Sequence, residues 1–177
     1  GKQEYLDEME IVIDASKDYI RIETDHPDRK GGWFSWGNDS SGSVTYELLV
    51  PDDVDLDSIE TVNGEVTIES VSGEVTAGTV NGAVEVSGLV SDVELETVNG
   101  SIHARFESLG EGQRVNADTV NGAITVYLPG DASARIVAET VNGSIDGDDF
   151  GLKADKGFVG RDLDGTIGSG DAQVSLD

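Results

Sequence analysis

The chain contains no cysteine, and proline, aromatic and basic residues are scarce. Its 177 residues include 3 Pro, 2 Trp, 4 Tyr and 4 Phe, with 11 Lys and Arg against 36 Asp and Glu. The absence of cysteine excludes disulfides and thiolate metal sites. The scarcity of aromatic residues is compatible with a core built from columns of Val and Ile. The length suits a single domain.

The shortage of basic residues leaves a formal net charge of −25. Binding of nucleic acid needs clustered Lys and Arg to displace counterions, so a nucleic-acid partner is excluded. An anionic membrane surface is disfavoured for the same reason. No apolar run approaches the length of a membrane span, so no direct insertion is expected. We interpret the charge as a solvated exterior that keeps a β-rich protein soluble and discourages pairing between exposed strand edges.

A short repeat dominates the rest of the sequence. The tetrapeptide Thr-Val-Asn-Gly occurs five times, starting at Thr61, Thr79, Thr97, Thr119 and Thr140. Spacings of 18, 18, 22 and 21 residues indicate a repeat architecture. From Glu60 the chain also follows a nine-residue pattern, with apolar residues or Ala at the third, seventh and ninth positions, as in Val62, Val66 and Ile68. Each nine is therefore predicted to be a turn and a short alternating strand.

Two all-β architectures fit this pattern. Asn-Gly between alternating strands is a strong hairpin signal and would give an antiparallel β-meander. The alternative is a single-stranded parallel β-solenoid (a β-helix, expected to be right-handed) with coils of 18–22 residues, about eight in all. In a meander the Val of every Thr-Val-Asn-Gly would face water, whereas a corner at the motif would turn it inward. We therefore predict the solenoid.

In a solenoid, the Asn-Gly pairs of successive coils would stack. Strands about 4.8 Å apart allow each Asn amide to bond to its copy in the next coil. Gly would supply a positive φ at the turn. The predicted structural ladder consists of Asn63, Gly64, Asn81, Gly82, Asn99, Gly100, Asn121, Gly122, Asn142 and Gly143.

A second column is acidic. The position before each motif holds Glu60, Gly78, Glu96, Asp118 and Glu139. Stacked carboxylates could attract Ca²⁺, which prefers oxygen ligands. The chain lacks the Gly-Gly-x-Gly-x-Asp pattern of nine-residue calcium β-rolls. We therefore expect no cofactor, and Ca²⁺ on surface carboxylates is the alternative.

The first third of the chain differs from the repeats. Alternating patterns predict strands over residues 9–15, 19–24 and 43–50. Between the last two lies a Gly- and Ser-rich loop that contains both tryptophans, and its aromatics Trp33, Phe34 and Trp36 are candidate contacts for a protein or glycan partner. The alternative is an apolar plug that caps one end of the solenoid.

We predict one solenoid domain over residues 1–177. It would comprise N-terminal strands, cap and Trp-rich loop over 1–59, Thr-Val-Asn-Gly repeats over 60–147, and Gly-rich coils over 148–177.

Motifs that carry catalysis are absent from the sequence. There are only two His, and neither has a nucleophile at a recognisable spacing. No Gly-x-Ser-x-Gly, phosphate loop or dinucleotide fingerprint occurs. With 36 acidic residues, some pair will always match the two carboxylates that a glycosidase needs, so such a pair is uninformative. We expect a non-catalytic protein, with a polysaccharide-active enzyme as the least favoured alternative.

Several segments together resemble a known family. They are Val44-Thr45-Tyr46-Glu47-Leu48-Leu49-Val50-Pro51, the run Ile59 to Gly64, the repeated Thr-Val-Asn-Gly units, and the closing Gly160 to Gly170. About three quarters of the chain resembles a bacterial family of adhesin-like domains of unknown function. The resemblance implies a single β-solenoid in secreted or envelope-associated proteins, and it implies no catalytic residues.

These observations lead to an expected function and location. We expect a cell-envelope or surface module, periplasmic or extracellular, that binds a protein or glycan partner of unknown identity. The alternative is a structural or regulatory element of an envelope-stress system. The chain starts at Gly1 rather than Met, so we expect that a signal segment preceded it. In the family that the chain resembles, another Thr-Val-Asn-Gly would follow Val174-Ser175-Leu176-Asp177, so we expect a further coil after Asp177. The sequence does not specify an oligomeric state.

Overall fold

The computed structural model describes residues 10–16, 19–25, 44–156 and 160–177. The chain divides into two compact units, Gly1–Leu49 and Val50–Asp177. The single domain expected over 1–177 stays a prediction. All described strands of the first unit pair only with each other, so they do not add to the repeat sheets.

The first unit contains one described hairpin. Strands β1 (Glu10–Ala15) and β2 (Ile20–Asp25) are antiparallel, with Ile13 opposite Ile22. Both strands lie where the alternating pattern predicts them. The strand expected over residues 43–50 is wrong for its described part, because residues 44–50 have no regular secondary structure.

The second unit is a parallel β-solenoid of four coils. Each coil has one strand in an eight-stranded sheet, a turn, and a second strand in a four-stranded sheet. The coils are β3 (Leu56–Asn63) with β4 (Val66–Glu69), β5 (Val75–Asn81) with β6 (Val84–Leu89), β7 (Val93–Asn99) with β8 (Ile102–Phe106), and β9 (Arg114–Asn121) with β10 (Ile124–Tyr127). The predicted solenoid is confirmed.

The register explains why the repeats stack. Thr61 lies beside Thr79, Thr79 beside Thr97, and Thr97 beside Thr119, all in parallel. The antiparallel meander is therefore wrong, and the expectation of about eight coils was too high because the C-terminal part does not coil. The right hand of the solenoid stays a prediction.

The core is a stack of small aliphatic side chains between the two sheets. Its inward positions alternate along each strand, so one strand of every coil contributes a pair such as Val93 and Leu95, and the other a pair such as Ile102 and Ala104. Phe106 is the one aromatic residue buried among the described residues. Equal positions pack on equal positions, which explains why so few aromatic residues suffice.

The Val of each Thr-Val-Asn-Gly lies outside the core. Val62 is 62% exposed and Val120 is 73% exposed, and Val80, Val98 and Val141 are exposed as well. The expectation that a corner would turn this Val inward is wrong. The side chain that turns inward is the preceding Thr: Thr79 donates to the carbonyl of Gly64 at 3.1 Å, and Thr97 to that of Gly82 at 3.2 Å. A hydroxyl thus fills the corner in the second, third and fourth coils and satisfies a Gly carbonyl of the preceding coil.

The C-terminal part is not a set of coils, contrary to the prediction for 148–177. Its elements are β11 (Ala134–Thr140), a 3₁₀ turn (Asp148–Phe150), β12 (Asp155–Lys156), β13 (Arg161–Ile167) and β14 (Ala172–Leu176). Strand β13 runs antiparallel to β11, and β14 inserts in parallel between β9 and β11. Gly168 and Gly170, at φ of 60° and 80°, allow the sharp reversal between β13 and β14.

Candidate binding face

The outward side of the four-stranded sheet carries two columns of polar and aromatic side chains. Parallel pairing aligns equal positions of β4, β6, β8 and β10, so each column has one residue per coil. We call this surface the groove face. Its columns are Thr67, Glu85, His103 and Thr125, and Glu69, Ser87, Arg105 and Tyr127.

A shallow depression of about 170 Å³ lies on the groove face. Val86 and Ala104 form part of its lining, and the polar lining comes from Thr67, Glu69, Glu85, Ser87, His103, Arg105 and Tyr127. Seven of the eight column residues therefore meet at one place, although they come from four coils.

An aromatic and a guanidinium group stack at one side of this depression. The Cζ atom of Arg105 lies 4.2 Å from the centroid of the Tyr127 ring. A cation–π contact at an exposed site contributes about 0.5–1 kcal/mol, which restricts both side chains. Tyr127 stays 47% exposed, so part of the ring remains available to a ligand.

The charges of the depression are mixed, unlike those of the chain as a whole. Glu69 and Glu85 face Arg105 and His103 within one small area, whereas the whole chain carries a charge of −25. Both hydrogen-bond donors and acceptors are therefore present in the depression. Such a surface can bind a polar ligand that carries no charge.

The acidic column lies on the outward side of the eight-stranded sheet. Burial, followed by the nearby charges of Asp177 and Glu96, raises the pKa of the Asp118 carboxyl above its usual range. No group of three or more His, Asp or Glu among the described residues is placed to hold a metal ion. The expectation of no cofactor, with Ca²⁺ on surface carboxylates as its alternative, stays a prediction.

The Asn-Gly ladder follows the corner of the solenoid. Asn81 donates to Asn63 at 3.0 Å, Asn99 to Asn81 at 3.0 Å, and Asn121 to Asn99 at 3.1 Å, each from Nδ2 to Oδ1. Asn142 is not in this series, because β14 separates β11 from β9.

The glycines of the ladder have a different role from the one expected. Gly100 and Gly122 do not adopt a positive φ. A Cβ atom on Gly100 would lie 1.7 Å from the carbonyl oxygen of Gly82, and one on Gly122 would lie 1.6 Å from that of Gly100. Close stacking of the backbone between coils, rather than a left-handed turn, requires glycine at these positions.

The aromatic contacts predicted from the sequence, Trp33, Phe34 and Trp36, lie outside the described residues, so the Trp-loop contact stays a prediction. Arg105 and Tyr127 were not predicted as site residues. The repeat itself contained a signal for this site, because Arg105 and Tyr127 are large side chains at equal, outward positions of successive coils. The other residues of that column are Glu69 and Ser87.

Comparisons with known proteins give a family and no activity. The family model described as Toastrack DUF4097 matches residues 35–177, which is well over half of the chain. That description does not include the adhesin label of the resemblance. Searches of curated proteins and of solved structures found no match. No helix in the described part of the chain is long and apolar enough to span a membrane.

Proposed function

Since the chain belongs to the Toastrack DUF4097 family, whose description states no activity, we propose its function from the groove face: a non-catalytic module that binds an uncharged glycan. The observation that carries this proposal is the depression in which Arg105 stacks on Tyr127 beside hydroxyl and carboxylate groups. A protein partner on the same face is the alternative.

The chemistry of the depression suits a sugar. A pyranose ring has a C–H face that packs on an aromatic ring and hydroxyls that need both donors and acceptors. Tyr127 offers the ring, Arg105 offers donors, and Glu69 and Glu85 offer acceptors. The cores of protein interfaces are richer in apolar and aromatic groups than this surface is, which favours the glycan.

Charge narrows the class of glycan. A chain with 36 acidic and 11 basic residues repels polyanionic polysaccharides at long range. The mixed charges around Arg105 give an anionic sugar no compensating basic patch. An uncharged glycan avoids this repulsion and still uses the hydrogen-bonding groups of the groove face.

The proposal is non-catalytic because no hydrogen bond in the described part of the chain joins a hydroxyl of the depression to its histidine. The carboxylate pair Glu69 and Glu85 is uninformative in a chain with 36 acidic residues. Among the described residues, no hydrogen bond joins His103 to Ser87 or to Thr67. The Thr67 hydroxyl donates instead to the carboxylate of Glu65 at 3.3 Å, a residue that does not line the depression. A catalytic hydroxyl of the Ser–His type needs a hydrogen bond to a neighbouring base, which activates it as a nucleophile.

We place the module at the cell envelope, periplasmic or extracellular, where glycans are abundant. This location is supported by the resemblance of the sequence alone. A structural or regulatory role in an envelope-stress system is the second candidate, and it would need no ligand on the groove face.

The proposal is tested by glycan binding to the full chain. A panel of neutral polysaccharides is measured by affinity electrophoresis with wild type, Tyr127→Ala and Tyr19→Ala. Tyr19 is a matched control because it is exposed and lies in the other unit. Loss of a stacking aromatic at a binding site typically costs about 1–3 kcal/mol, so we expect Tyr127→Ala to weaken binding by about 5-fold or more. Tyr19→Ala should bind like wild type.

Each alternative has its own outcome in the same series. No retardation by any glycan contradicts the proposal. Released reducing ends contradict the non-catalytic part of it. In a third outcome, the double variant Trp33→Ala, Trp36→Ala loses glycan binding and Tyr127→Ala keeps it. This result would assign the binding site to the Trp-rich loop.

A further inference from the structure

The outward side of the eight-stranded sheet carries an apolar column along the four coils. Parallel pairing places the Val of each Thr-Val-Asn-Gly beside its copies in the neighbouring coils. These side chains alternate along their strands with the inward Thr, so they share one surface. We call this set the valine column, and its members are Val62, Val80, Val98 and Val120.

The exposure of the valine column does not come from an end of the stack. Val80 and Val98 each have a coil on both sides, yet they are 39% and 40% exposed. All four side chains lie outside the buried core. Single exposed apolar residues are ordinary on a protein surface, whereas contiguous apolar patches mark interaction sites. Four stacked Val side chains are of the second kind.

Acidic side chains border the valine column. Two residues before each Val, and therefore on the same surface, lie Glu60, Gly78, Glu96 and Asp118. Successive outward positions of a strand are about 6.7 Å apart, so these carboxylates are within reach of a partner bound to the Val side chains. Burial raises the pKa of the Asp118 carboxyl, and the charges of Asp177 and Glu96 raise it further. Negative charge therefore accumulates beside the valine column.

Basic side chains do not neutralise this surface. Residues 56–127 contain twelve Asp or Glu, no Lys and two Arg. Arg105 stacks on Tyr127 on the other sheet, and Arg114 is bonded to Asp92 at 3.0 Å. A second copy of the chain would bring the same negative charge to this surface and be repelled, whereas a cationic partner would be attracted. Charge complementarity therefore selects a cationic partner.

The spacing of the valine column distinguishes a helix from a strand as the partner. Parallel strands are about 4.8 Å apart, so the three steps from Val62 to Val120 cover about 14 Å. In an α-helix, apolar residues alternately three and four apart rise about 5.3 Å per step, or about 16 Å over three steps. In a β-strand, side chains on one face are about 6.7 Å apart, or about 20 Å over three steps. A helix keeps register with all four Val side chains, and a strand does not.

We propose that the valine column and the carboxylates beside it form a docking face for one amphipathic, cationic α-helix of a partner protein, oriented along the stacking axis. Its aliphatic side chains pack between successive Val residues, in the manner of a helix that binds through positions three and four apart. Its Lys or Arg side chains pair with Glu60, Glu96 and Asp118. A helix is about 10 Å wide, so its flank lies over carboxylates about 6.7 Å from the Val side chains. This proposal is independent of the groove face, which lies on the other sheet.

The two borders of the valine column differ, and this difference narrows the partner. On the side away from the carboxylates lies the Asn ladder, whose side-chain amides are already bonded to one another from coil to coil. Uncharged polar residues suit that flank of the helix. The expected partner helix therefore carries its basic residues on one side of the apolar stripe.

A designed peptide tests the docking face on the full chain. The probe is a helix of about 18 residues, with Leu alternately three and four apart and Lys on both flanks, so that either direction of the helix presents Lys to the carboxylates. One control has the same composition with Leu scattered around the helix, and the other has Gln in place of every Lys. We expect saturable one-to-one binding of the probe below about 100 μM by calorimetry in about 0.05 M NaCl. Binding should weaken several-fold in about 0.3 M NaCl, and both controls should bind at least about ten-fold more weakly.

Four exposed valines provide a matched pair of variants. Val80→Thr with Val98→Thr keeps the β-branched shape and exchanges two methyl groups of the valine column for hydroxyls. It should weaken binding about ten-fold, the value of two methyl groups removed from an apolar contact. Val12→Thr with Val90→Thr changes side chains of similar exposure outside the column and should leave binding unchanged. Thermal unfolding checks that both double variants stay folded.

Photo-crosslinking locates the bound peptide without any variant of the chain. A probe with a photoreactive group at its central Leu should label strands β5 and β7. Labelling of β6 and β8 would place the peptide on the groove face, and labelling of residues 1–49 would place it on the first unit. Either of these results contradicts the docking face.

Three further results would overturn the proposal. They are the absence of saturable binding, equal binding of either control peptide, and unchanged binding by the folded variant Val80→Thr, Val98→Thr. Sedimentation of the chain without peptide tests a second copy as the occupant. A concentration-dependent dimer that this variant disrupts would assign the valine column to self-association and contradict the proposed helix.

Discussion

Glycine at the corner is the residue on which the stacking of coils depends. Gly100 has a carbonyl oxygen of the preceding coil where its Cβ atom would be, whereas Gly64, at the equal position of the first coil, has only the Thr61 side chain at 3.6 Å. The same residue in the same motif is therefore under different steric constraint at two levels of the solenoid.

We predict that Gly100→Ala destabilises the chain by about 3 kcal/mol or more, because two backbones must separate to admit the methyl group. Gly64→Ala should change the free energy of unfolding by less than about 1 kcal/mol. Urea unfolding of both variants checks this. Equal losses of stability would mean that the glycines serve conformational freedom and not close stacking.

Asp118 is the residue at which stability should respond to pH. Its pKa is raised by burial and by Asp177 and Glu96, so the folded state holds the proton more tightly than the unfolded state does. Folding then takes up a proton, and this contribution to stability grows as pH falls from 7 through the raised pKa toward the ordinary value of 3.8.

We predict that Asp118→Asn raises Tm at pH 7 by about 1–3 °C, since repulsion between partly exposed charges contributes less than about 1 kcal/mol. The gain should shrink as pH falls toward 4. Asp164→Asn is a control with the opposite sign of pKa shift, because Arg135 lowers the pKa of Asp164. The Asp164 carboxylate therefore stabilises the folded state at pH 7, and this stabilisation is lost only as pH falls through the lowered pKa. A Tm advantage of Asp118→Asn that does not depend on pH would contradict the assignment.

At the scale of elements, the long connection from β8 to β9 is fastened by one buried side chain. Gln113 accepts a hydrogen bond from the Gly110 amide at 2.8 Å and donates to the carbonyl of Ser91 in the preceding coil. The extra residues that lengthen this repeat are thus tied to the preceding coil by Gln113, and Leu109 among them packs against the core.

We predict that Gln113→Leu costs about 1–3 kcal/mol, because it removes both hydrogen bonds of a buried side chain while keeping its volume. Gln173→Leu on β14 is the control, since its side chain is exposed. Thermal unfolding measures both. If Gln113→Leu is neutral, the loop is held by contacts other than these two bonds.

The β1–β2 hairpin should be the least protected described element. Its apolar side chains Ile11, Ile13 and Ile20 are all at least half exposed. A two-stranded hairpin without a buried face is marginal in water. We predict that its amides exchange fastest and those of β7 and β8 slowest, as measured by hydrogen exchange with mass spectrometry. Comparable protection of the two regions would contradict this order.

The positions of the repeat strands could be predicted from the sequence, but the contacts between coils that orient their side chains could not. Repeat spacing gave the parallel coils, because stacking equal positions is the way to bury Val66 and Ile68 in every unit. It did not give the direction of Val62, because the choice between Thr and Val at the corner depends on a carbonyl contributed by another coil. Strands β13 and β14 escaped prediction for a similar reason, since their pairing with β11 and β9 spans distant parts of the chain. The groove face escaped it because cross-coil neighbours such as Arg105 and Tyr127 lie 22 residues apart.

At the scale of the whole molecule, the net charge of −25 sets the response to salt. Raising ionic strength from 0.15 to 1 M shortens the Debye length from about 8 to 3 Å, which weakens repulsion among carboxylates. We predict that Tm rises with NaCl, and that CaCl₂ at equal ionic strength raises it no further. A larger effect of CaCl₂, reversed by chelator, would reveal a specific Ca²⁺ site.

The Asn ladder gives the solenoid a mechanical direction. Its side-chain bonds, like the backbone bonds between the strands of the four coils, run from one coil to the next. Tension applied along the stacking axis therefore loads one coil-to-coil contact at a time, and the coils should peel off singly at low force. Tension along the strands loads every bond of a coil together in shear. The solenoid should therefore unfold at low force under tension along the stacking axis and resist higher force under tension along its strands.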